Sequence, residues 1–249
     1  MARQLTRGRF LGRRTERPGV DGRVSDSTDR ETQKKDAADA ALAFVRPNTT
    51  VGLGSGSTVR YFIEALARRY ADGLPVLCVA TSTATAAIAS RLRLPLVTEP
   101  ALIDVAVDGA DEIDPDLRLI KGHGGALTRE KLTAIAARQF VVIADESKLV
   151  AQLGRGPVPV EVVPFLWRQT ASRLGALGAE WGVRGGERSP TASDNGNYIV
   201  DLRFGQPIAD PADLAAAIKR TVGVVEHGLF IGGVSACIVA GPSGVRTLS

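Results

Sequence analysis

The sequence predicts an α/β protein in which a mainly parallel sheet, covered by helices on both faces, is joined to a smaller α+β domain. The segments at 49–53, 103–107 and 139–144 are mainly apolar and alternate with helical patterns. Strands of that kind are typical of a parallel sheet that is buried on both faces. After a glycine-rich turn at 154–157 the strands become shorter, and the one at 198–204 alternates in polarity. This change predicts a second, smaller domain.

The composition fits a globular protein with a buried core. The chain has 249 residues, of which 44% are hydrophobic. No apolar run approaches the roughly 20 residues that span a bilayer, and the first residues lack the apolar segment of a secretory signal. We therefore expect neither a membrane partner nor secretion.

The positive charge is concentrated at the start of the chain. Residues 1–30 contain eight Arg and four acidic residues, a net charge of +4, which equals the net charge of the whole chain. The remainder is neutral and offers no basic face of the kind that nucleic-acid binding requires. The Arg-, Gly- and Ser-rich residues 1–30 predict a disordered extension. It is either dispensable or an organelle-targeting segment, and its acidic residues argue against targeting.

Two cysteines and two histidines bear on the compartment and on metal binding. Cys78 and Cys237 each lie in an apolar, strand-like run, which predicts buried free thiols in a reducing compartment such as the cytoplasm. Two cysteines give no metal-ligand spacing, and His123 and His227 are far apart in the sequence. We expect no bound metal.

The first domain is predicted to begin with a helix at 31–45 and a strand at 49–53. A loop, Gly54-Ser55-Gly56-Ser57-Thr58, and a helix to about Tyr70 follow. A strand, a glycine loop and a helix in this order can bind phosphate, because free N–H groups at the helix N-terminus point at the anion. A dinucleotide fingerprint would need glycine at Ser57, and a P-loop would need a lysine. A small phosphorylated metabolite and a plain tight turn both stay open.

Further elements are predicted up to residue 154. They are strands at 75–80, 96–97, 103–107, 117–120 and 139–144, a helix at 81–92 and a helix that begins near Leu127. Side chains that are able to take part in catalysis or binding follow these strands, namely Asp108, Asp111, Glu112, Lys121 and Lys148. Ligands bind at the carboxyl ends of parallel strands. We therefore expect these side chains and the loop at 54–58 to form one site.

The second domain is predicted to contain strands and two helices of the β-α-β-β-α-β kind. The strands lie at 158–163, 180–183 and 198–204, and the helices at 166–177 and 210–221. An apolar run at 229–239 predicts one last long strand that returns to the first domain. The expected domains are thus 31–154, completed by about 228–249, and 155–227.

Acidic residues, a lysine and a glycine run meet in the segment 103–130. A carboxylate suits removal of a proton next to a carbonyl, and a lysine suits stabilisation of the enediolate that develops. No nucleophile is paired with a base, and the acids offer ligands for Mg²⁺ without requiring it. An aldose–ketose isomerisation of a phosphosugar needs these groups and no cofactor.

Each of these residues alone also has a plainer interpretation. An Asp-Gly pair such as Asp108-Gly109 commonly forms a turn. Glu130 in a first helical turn is commonly favoured by the helix dipole alone, and Lys148 is commonly solvated. Only the combination of these residues points to a small-anion site.

Four motifs resemble the A-type ribose-5-phosphate isomerase family: GLGSGST at 52–58, DGADEID at 108–114, KGHGGALTREK at 121–131 and ADESK at 144–148. Their order and spacing match from Lys34 to the C-terminus. The resemblance implies a Rossmann-like domain and a small α+β (ferredoxin-like) domain. It implies interconversion of D-ribose 5-phosphate and D-ribulose 5-phosphate in the non-oxidative branch of the pentose phosphate pathway, without a metal or cofactor. It also implies a homodimer or homotetramer.

The resemblance further implies roles for individual residues. Glu130 would be the general base that moves the proton between C1 and C2. Asp108 would assist ring opening and proton movement among the oxygens, and Lys121 would stabilise the enediolate. The other implied substrate-binding residues are Ser55, Gly56, Ser57, Thr58, Gly109, Ala110, Asp111, Gly122, His123, Gly124 and Lys148, with Lys34 as a weaker phosphate candidate.

One residue departs from this family pattern, and two other functions stay open. The family commonly has glycine where His123 stands. This histidine either points to solvent or adds a donor near the substrate's hydroxyls, and a positive φ would cost it little. The alternatives are another phosphosugar enzyme of a related fold, such as a deaminase or a CoA transferase, and a non-catalytic sugar-phosphate sensor. A sensor could lose Asp108, Lys121 or Glu130, whereas all three are present.

Overall fold

The computed structural model describes residues 22–249, with side chains from residue 29 onward. Helix α1 (Gly22–Ala41) opens the described chain. It begins before the predicted start at Glu31, so residues 22–30 are helical rather than part of a disordered extension. The reason is local, because no glycine or proline follows Gly22 before Pro47. The rest of the predicted extension lies outside the described residues.

Helices and strands alternate through the rest of the chain. The further helices are α2 (Ser57–Ala71), α3 (Thr83–Arg91), α4 (Leu127–Ala136), α5 (Trp167–Gly175) and α6 (Pro211–Lys219). The strands are β1 (Thr49–Leu53), β2 (Val76–Ala80), β3 (Ile103–Asp108), β4 (Glu112–Ile113), β5 (Leu119–Ile120), β6 (Ala137–Asp145), β7 (Val158–Val162), β8 (Ala179–Val183), β9 (Tyr198–Phe204), β10 (Val224–His227), β11 (Leu229–Phe230), β12 (Ala236–Gly241) and β13 (Gly244–Leu248). Short 3₁₀ turns lie at Leu42–Phe44 and Glu146–Lys148.

A six-stranded sheet with the order β13-β12-β6-β3-β1-β2 forms the first part of the fold. Adjacent strands of this sheet run parallel, except that β12 and β13 are antiparallel. Successive residues of β3 enter different cores, Val105 and Val107 on one side of the sheet and Ala106 on the other. Burial on both faces explains why these strands are mainly apolar. The predicted parallel α/β sheet is confirmed.

The first face of this sheet is covered by α1, α2 and α3. Helix α2 contributes Phe62 and Leu66, which are four residues apart and fully buried, as expected for the apolar stripe of a helix. Helix α1 contributes Ala37 and Ala41, whose small side chains lie in the same core. This packing holds the N-terminus of α2 at the carboxyl edge of the sheet, next to the end of β3.

A separate antiparallel sheet with the order β10-β7-β9-β8 forms the second part. Its elements follow each other as β7, α5, β8, β9, α6 and β10, which is the predicted small α+β arrangement. Its own core includes Trp167 of α5, Val200 of β9 and Ile218 of α6. The fold class is therefore confirmed. The exact division into two domains stays a prediction, supported by these separate cores.

Two predicted strands differ in the structure. The prediction of a single strand at 229–239 is wrong. Gly232 and Gly233 both adopt positive φ angles and divide this segment into β11 and β12. Positive φ does not fit an extended strand, and glycine is the residue that accepts it. Strand β11 joins β5 and β4 in a small antiparallel sheet. The strand expected at 96–97 is reduced to one bridge between Leu96 and Cys78.

Within the described residues, no helix is both long and apolar enough to cross a lipid bilayer.

Candidate active site

The site is built where β3 ends beside the loop that follows β1. These two parallel strands are direct neighbours, so their carboxyl ends meet at one edge of the sheet. A Cβ on Gly54 would lie 2.1 Å from the Asp108 carboxylate carbon, so only glycine lets the loop approach Asp108. The backbone N–H groups of Ser55 and Gly109 donate to Asp108 Oδ1 at 3.1 and 2.7 Å. The Asp108 side chain is thereby fixed in orientation.

Lys121 lies between the two carboxylates that the sequence analysis assigned to proton transfer. Its ammonium is 2.9 Å from Asp108 Oδ2 and 3.3 Å from Glu130 Oε2, and it donates to the carbonyl oxygen of Gly109 at 2.6 Å. All three side chains are almost completely buried. The structure thus brings together the three predicted catalytic residues.

The backbone around Lys121 explains how a lysine reaches this position. Gly122 has a φ of 99°, and a Cβ there would lie 2.6 Å from the Leu127 side chain. The glycine therefore allows a sharp turn against the start of α4. Glu130 lies in the first turn of α4, which directs it towards the lysine.

Two oxygens of this cluster lack a hydrogen-bond donor among the described residues: Asp108 Oδ2 and Glu130 Oε2. Both contact the Lys121 ammonium as ion pairs, without hydrogen-bond geometry. Buried polar atoms are normally hydrogen-bonded, so an exception calls for an explanation such as a catalytic role or a missing partner. Substrate hydroxyls could supply the missing donors.

The burial and mutual proximity of these groups change their proton affinities. Burial and the neighbouring Asp108 raise the pKa of Glu130 to about 8, while Lys121 opposes this rise. Burial likewise raises the pKa of Asp108, against the lowering effect of Lys121. Burial alone would lower the pKa of Lys121, but the two carboxylates raise it above its ordinary value. A base with a pKa near neutrality therefore lies beside a cation that stays protonated.

The N-terminus of α2 opens onto a cavity of about 810 Å³. Gly56 precedes the helix with a φ of 109° and provides no side-chain cap. The first N–H groups of α2 are thereby left without a capping side chain, as at known anion sites. Gly56 and Ser57 line the cavity, whereas Thr58 is buried behind them.

The catalytic cluster lies directly behind the wall of this cavity. Ser55 in the wall donates its N–H to Asp108. Ala126, also in the wall, accepts the N–H of Glu130 at 3.0 Å. The phosphate-type loop and the acid–base cluster are therefore adjacent, as the sequence analysis expected for one joint site.

The Ser55 hydroxyl makes contacts that the sequence did not indicate. It lies 2.9 Å from Thr81 Oγ1, 2.8 Å from Ser82 Oγ and 3.1 Å from Thr85 Oγ1. This hydroxyl cluster ties the loop to the start of α3, where Ser82 caps the helix. Contact between the Ser55 hydroxyl and a phosphate stays a prediction.

His123 and Asp111 are linked to each other at the cavity's edge. The His123 N–H donates to Asp111 Oδ2 at 3.0 Å, and its ring Nε2 lies 3.0 Å from the Pro157 carbonyl oxygen. His123 is not among the described residues that have positive φ. The ring is thus partly exposed but held between the two parts of the fold.

Three charged residues near the motifs lie away from the cluster. Glu112 is buried and accepts the N–H groups of Gly154, Arg155 and Gly156, so it fixes the connection to the small sheet. Lys148 lies in the 3₁₀ turn after β6 and does not line the cavity. Lys34 pairs with Glu31 at 2.6 Å, and only Glu31 reaches the cavity wall.

Arg184, which no sequence motif indicated, directly follows β8 of the small sheet and reaches the site from there. It forms two hydrogen bonds to the Asp201 carboxylate at 2.8 and 2.7 Å. Its Nη1 donates at 3.0 Å to the carbonyl oxygens of Gly122 and His123. No local sequence signal announces this contact, because it joins residues about sixty positions apart. Arg184 therefore supports the glycine loop from across the cavity.

Metal-binding residues are not gathered at the site. Within residues 29–249, no three His, Cys, Asp or Glu side chains lie in an arrangement that could hold a metal ion.

Comparisons with known proteins place these features in context. The model of the family described as ribose 5-phosphate isomerase A (phosphoriboisomerase A) matches residues 77–244. Ribose-5-phosphate isomerase A of Synechococcus sp. (strain JA-3-3Ab) is 51% identical over 221 residues, which cover 86% of this chain and 96% of the relative.

Solved structures of the same name have a similar fold. Ribose 5-phosphate isomerase from Plasmodium falciparum has a TM-score of 0.84 and 38% identity, and the match covers 88% of this chain and 98% of that chain. A D-ribose-5-phosphate isomerase in complex with phospho-erythronic acid has a TM-score of 0.84 and 39% identity, covering 88% and 99% of the two chains.

Proposed function

This chain belongs to the ribose 5-phosphate isomerase A family, and from that premise we propose that Glu130, Asp108 and Lys121 perform its reaction. It is an aldose–ketose isomerase that interconverts D-ribose 5-phosphate and D-ribulose 5-phosphate. The family relationship also assigns it to the pentose phosphate pathway. The observation that supports the proposed roles is the buried Lys121 ammonium between two carboxylates.

In the proposed reaction, Glu130 removes the proton from C2 of the open-chain aldose. The electron pair of the C–H bond forms the C1–C2 double bond, and the carbonyl oxygen at C1 becomes negative. The Lys121 ammonium stabilises that charge, because it remains protonated beside Asp108 and Glu130. The protonated Glu130 then returns a proton to C1. The proton of the C2 hydroxyl is transferred to the negative oxygen on C1, so that C2 becomes the carbonyl carbon of the ketose and C1 carries a hydroxyl.

Asp108 is proposed to act on the oxygens. Its Oδ1 is held by two backbone N–H groups, whereas its Oδ2 has no hydrogen-bond donor among the described residues. That oxygen is suited to accept the proton of the C2 hydroxyl and to deliver it to the oxygen on C1. Proton transfer by the same oxygen also assists opening of the furanose ring.

The raised pKa of Glu130 supports its role as the base. A carboxylate with an ordinary pKa is a weak base, whereas one with a pKa of about 8 is matched to proton transfer near neutral pH. Burial raises the pKa of Glu130 most, and the Asp108 charge adds to the effect. The two carboxylates therefore have separate proposed roles: Glu130 transfers the proton between carbon atoms, and Asp108 transfers protons between oxygen atoms.

The phosphate of the substrate is proposed to bind at the N-terminus of α2. The uncapped N–H groups after Gly56 and the Ser57 side chain at the cavity support this. We extend the proposal to the other substrate-binding residues expected from the family. Among these, Ser55, Gly56, Ser57, His123 and Gly124 line the cavity, whereas Thr58, Gly109, Ala110, Asp111, Gly122, Lys148 and Lys34 do not.

We also propose that the enzyme acts in the cytoplasm as a homodimer or homotetramer. Cys78 and Cys237 are buried free thiols, which suits a reducing compartment. On α4, Leu132 and Ile135 are exposed apolar side chains, and Ile135 shares a hollow with Ile231. An exposed apolar patch of this kind supports a subunit interface. Light scattering of the purified protein gives its mass in solution directly, and a monomer would refute the assembly.

One assay tests the proposed function. EDTA-treated protein is incubated with ribose 5-phosphate, and formation of the ketose is followed. We expect ketopentose phosphate to appear in proportion to the protein concentration. If no ketopentose forms at any protein concentration, the proposal is refuted.

A further inference from the structure

Lys131, next to Glu130 on α4, is buried and uses its ammonium entirely inside the protein. It donates to the carbonyl oxygens of His227 and Leu229 at 2.6 and 2.8 Å, and to Glu226 Oε1 at 2.9 Å. Its Nζ also lies 3.2 Å from His227 Nδ1, so four protein atoms surround the three N–H groups of this lysine. Lys131 therefore has no proton to offer a substrate, and its charge must serve the protein itself.

The residues that Lys131 holds flank the point where the chain supports Lys121. Gly228 lies between the two carbonyl groups, and its own carbonyl oxygen accepts the Lys121 N–H at 2.8 Å. A Cβ on Gly228 would lie 2.1 Å from the Lys121 carbonyl oxygen, so the two backbones are in close contact. Leu229 continues this contact by pairing with Ile120.

An aromatic ring connects the two lysines a second time. The Phe230 ring centroid lies 5.5 Å from the Lys121 ammonium and 4.8 Å from the Lys131 ammonium. Both distances are within the range of a cation–π contact. The Phe230 ring therefore contacts both cations.

We propose that Lys131 is a positioning residue for Lys121, which it holds between Asp108 and Glu130 through the backbone of residues 227–229 and the Phe230 ring. The inference depends on the proposed role of Lys121 in the isomerase reaction. It assigns to Lys131 an effect on turnover that does not require contact with the substrate.

The charged surroundings of Lys131 provide a matched control. Glu226 pairs with Lys131 on one side and with Lys219 at 2.6 Å on the other. Lys219 also donates to the Val225 carbonyl oxygen. It shares the carboxylate with Lys131 but has no hydrogen bond to His227 or Leu229 in the described structure.

The test compares Lys131→Met with Lys219→Met. In Lys131→Met we expect kcat to fall about ten- to a hundredfold with KM changed less than about threefold, because misplacement by an ångström costs about that much. Lys121 lowers the pKa of Glu130, so its displacement should also move the acidic limb of the kcat/KM profile upward by about half a pH unit. Lys219→Met should leave kcat and the limb at their wild-type values.

Two further measurements keep the result decisive. The pKa of Glu130, read from its carboxyl ¹³C signal, must rise in Lys131→Met and stay constant in Lys219→Met, whether or not the protein is active. Lys131→Arg, which keeps a cation, serves in place of the methionine variant if that variant does not fold, and should show a smaller change in the same direction. A folded variant with a wild-type kcat, or with reduced kcat and an unmoved Glu130 pKa, would overturn the inference. Absence of wild-type turnover would instead refute the proposed function.

Discussion

The Lys121 ammonium lies 3.3 Å from Glu130 Oε2, and both side chains are almost completely buried. The interaction couples the two groups, since the lysine lowers the proton affinity of the glutamate and the glutamate raises that of the lysine. Asp108 adds a second negative charge to the same cluster. The cluster can therefore hold one proton near neutral pH, and in the proposed mechanism Glu130 must release it before it can accept the C2 proton of the substrate.

Replacement of Glu130, the proposed base, should strongly reduce turnover while leaving binding largely intact. For Glu130→Gln we expect kcat to fall by about a thousandfold or more, within the range for loss of a general base. KM should stay within a few-fold, because the proposed phosphate site lies elsewhere, at the N-terminus of α2. Steady-state kinetics with ribose 5-phosphate measure both constants. Near-normal turnover would remove Glu130 as the base.

The pH dependence of kcat/KM should show the raised pKa of Glu130. Since the base must be deprotonated, kcat/KM should rise about tenfold per pH unit below the apparent pKa and level off near pH 8. This apparent value belongs to the coupled pair of Glu130 and Asp108 rather than to one residue. If kcat/KM changed only near pH 6, the change would reflect ionisation of the substrate's phosphate. A flat profile between pH 6.5 and 9 would contradict the assignment.

The raised pKa of Glu130 also predicts how the stability of the folded protein depends on pH. Above its ordinary pKa of about 4.3, the glutamate is deprotonated in the unfolded chain, whereas Glu130 in the folded protein keeps its proton up to about pH 8. The folded state binds more protons in this window, so stability falls as pH rises through it. Glu130→Gln lacks this loss, so its Tm advantage over the wild type should be larger at pH 9 than at pH 5, by about 3 °C or more. Equal Tm differences at the two pH values would argue against a raised pKa.

A negative charge at the start of α2 should compete with the substrate's phosphate. We expect Ser57→Asp to raise KM for ribose 5-phosphate more than about tenfold, while a carboxylate at a helix N-terminus leaves Tm unchanged or higher. The variant's kcat at saturation should change much less, because the catalytic cluster lies behind the cavity wall. An unchanged KM would show that the phosphate does not bind at the N-terminus of this helix. Lys148→Ala in the same assay should raise KM if this lysine reaches the phosphate, and an unchanged KM would exclude it.

The sequence predicted the centre of the site because its residues follow strands that lie side by side. Asp108 ends β3, and the glycine loop follows the neighbouring β1, so their meeting depends on the parallel arrangement alone. Glu130 was less certain from sequence, since an acid in a first helical turn is also favoured by the helix dipole. Its family motif favours the catalytic role, and its distance of 3.3 Å from Lys121 supports that prediction.

Other features depend on contacts that no local pattern announces. Arg184 and Lys131 act on backbone carbonyl groups from distant parts of the chain, and such contacts carry no spacing signal. Glu112 looked like a member of the acidic turn, but three backbone N–H groups after residue 153 turn it away. The break at Gly232 and Gly233 was hidden because apolar residues flank it on both sides.

The most direct test of the account is the isomerisation in heavy water. EDTA-treated wild-type protein is incubated with ribose 5-phosphate in D₂O, and NMR detects deuterium at C1 of the ketose and at C2 of the recovered aldose. Proton transfer through Glu130 and an enediolate predicts carbon-bound deuterium with the wild type and no detectable exchange with Glu130→Gln. Ketose that forms without any carbon-bound deuterium after repeated turnover, or exchange at the wild-type rate in Glu130→Gln, would contradict it.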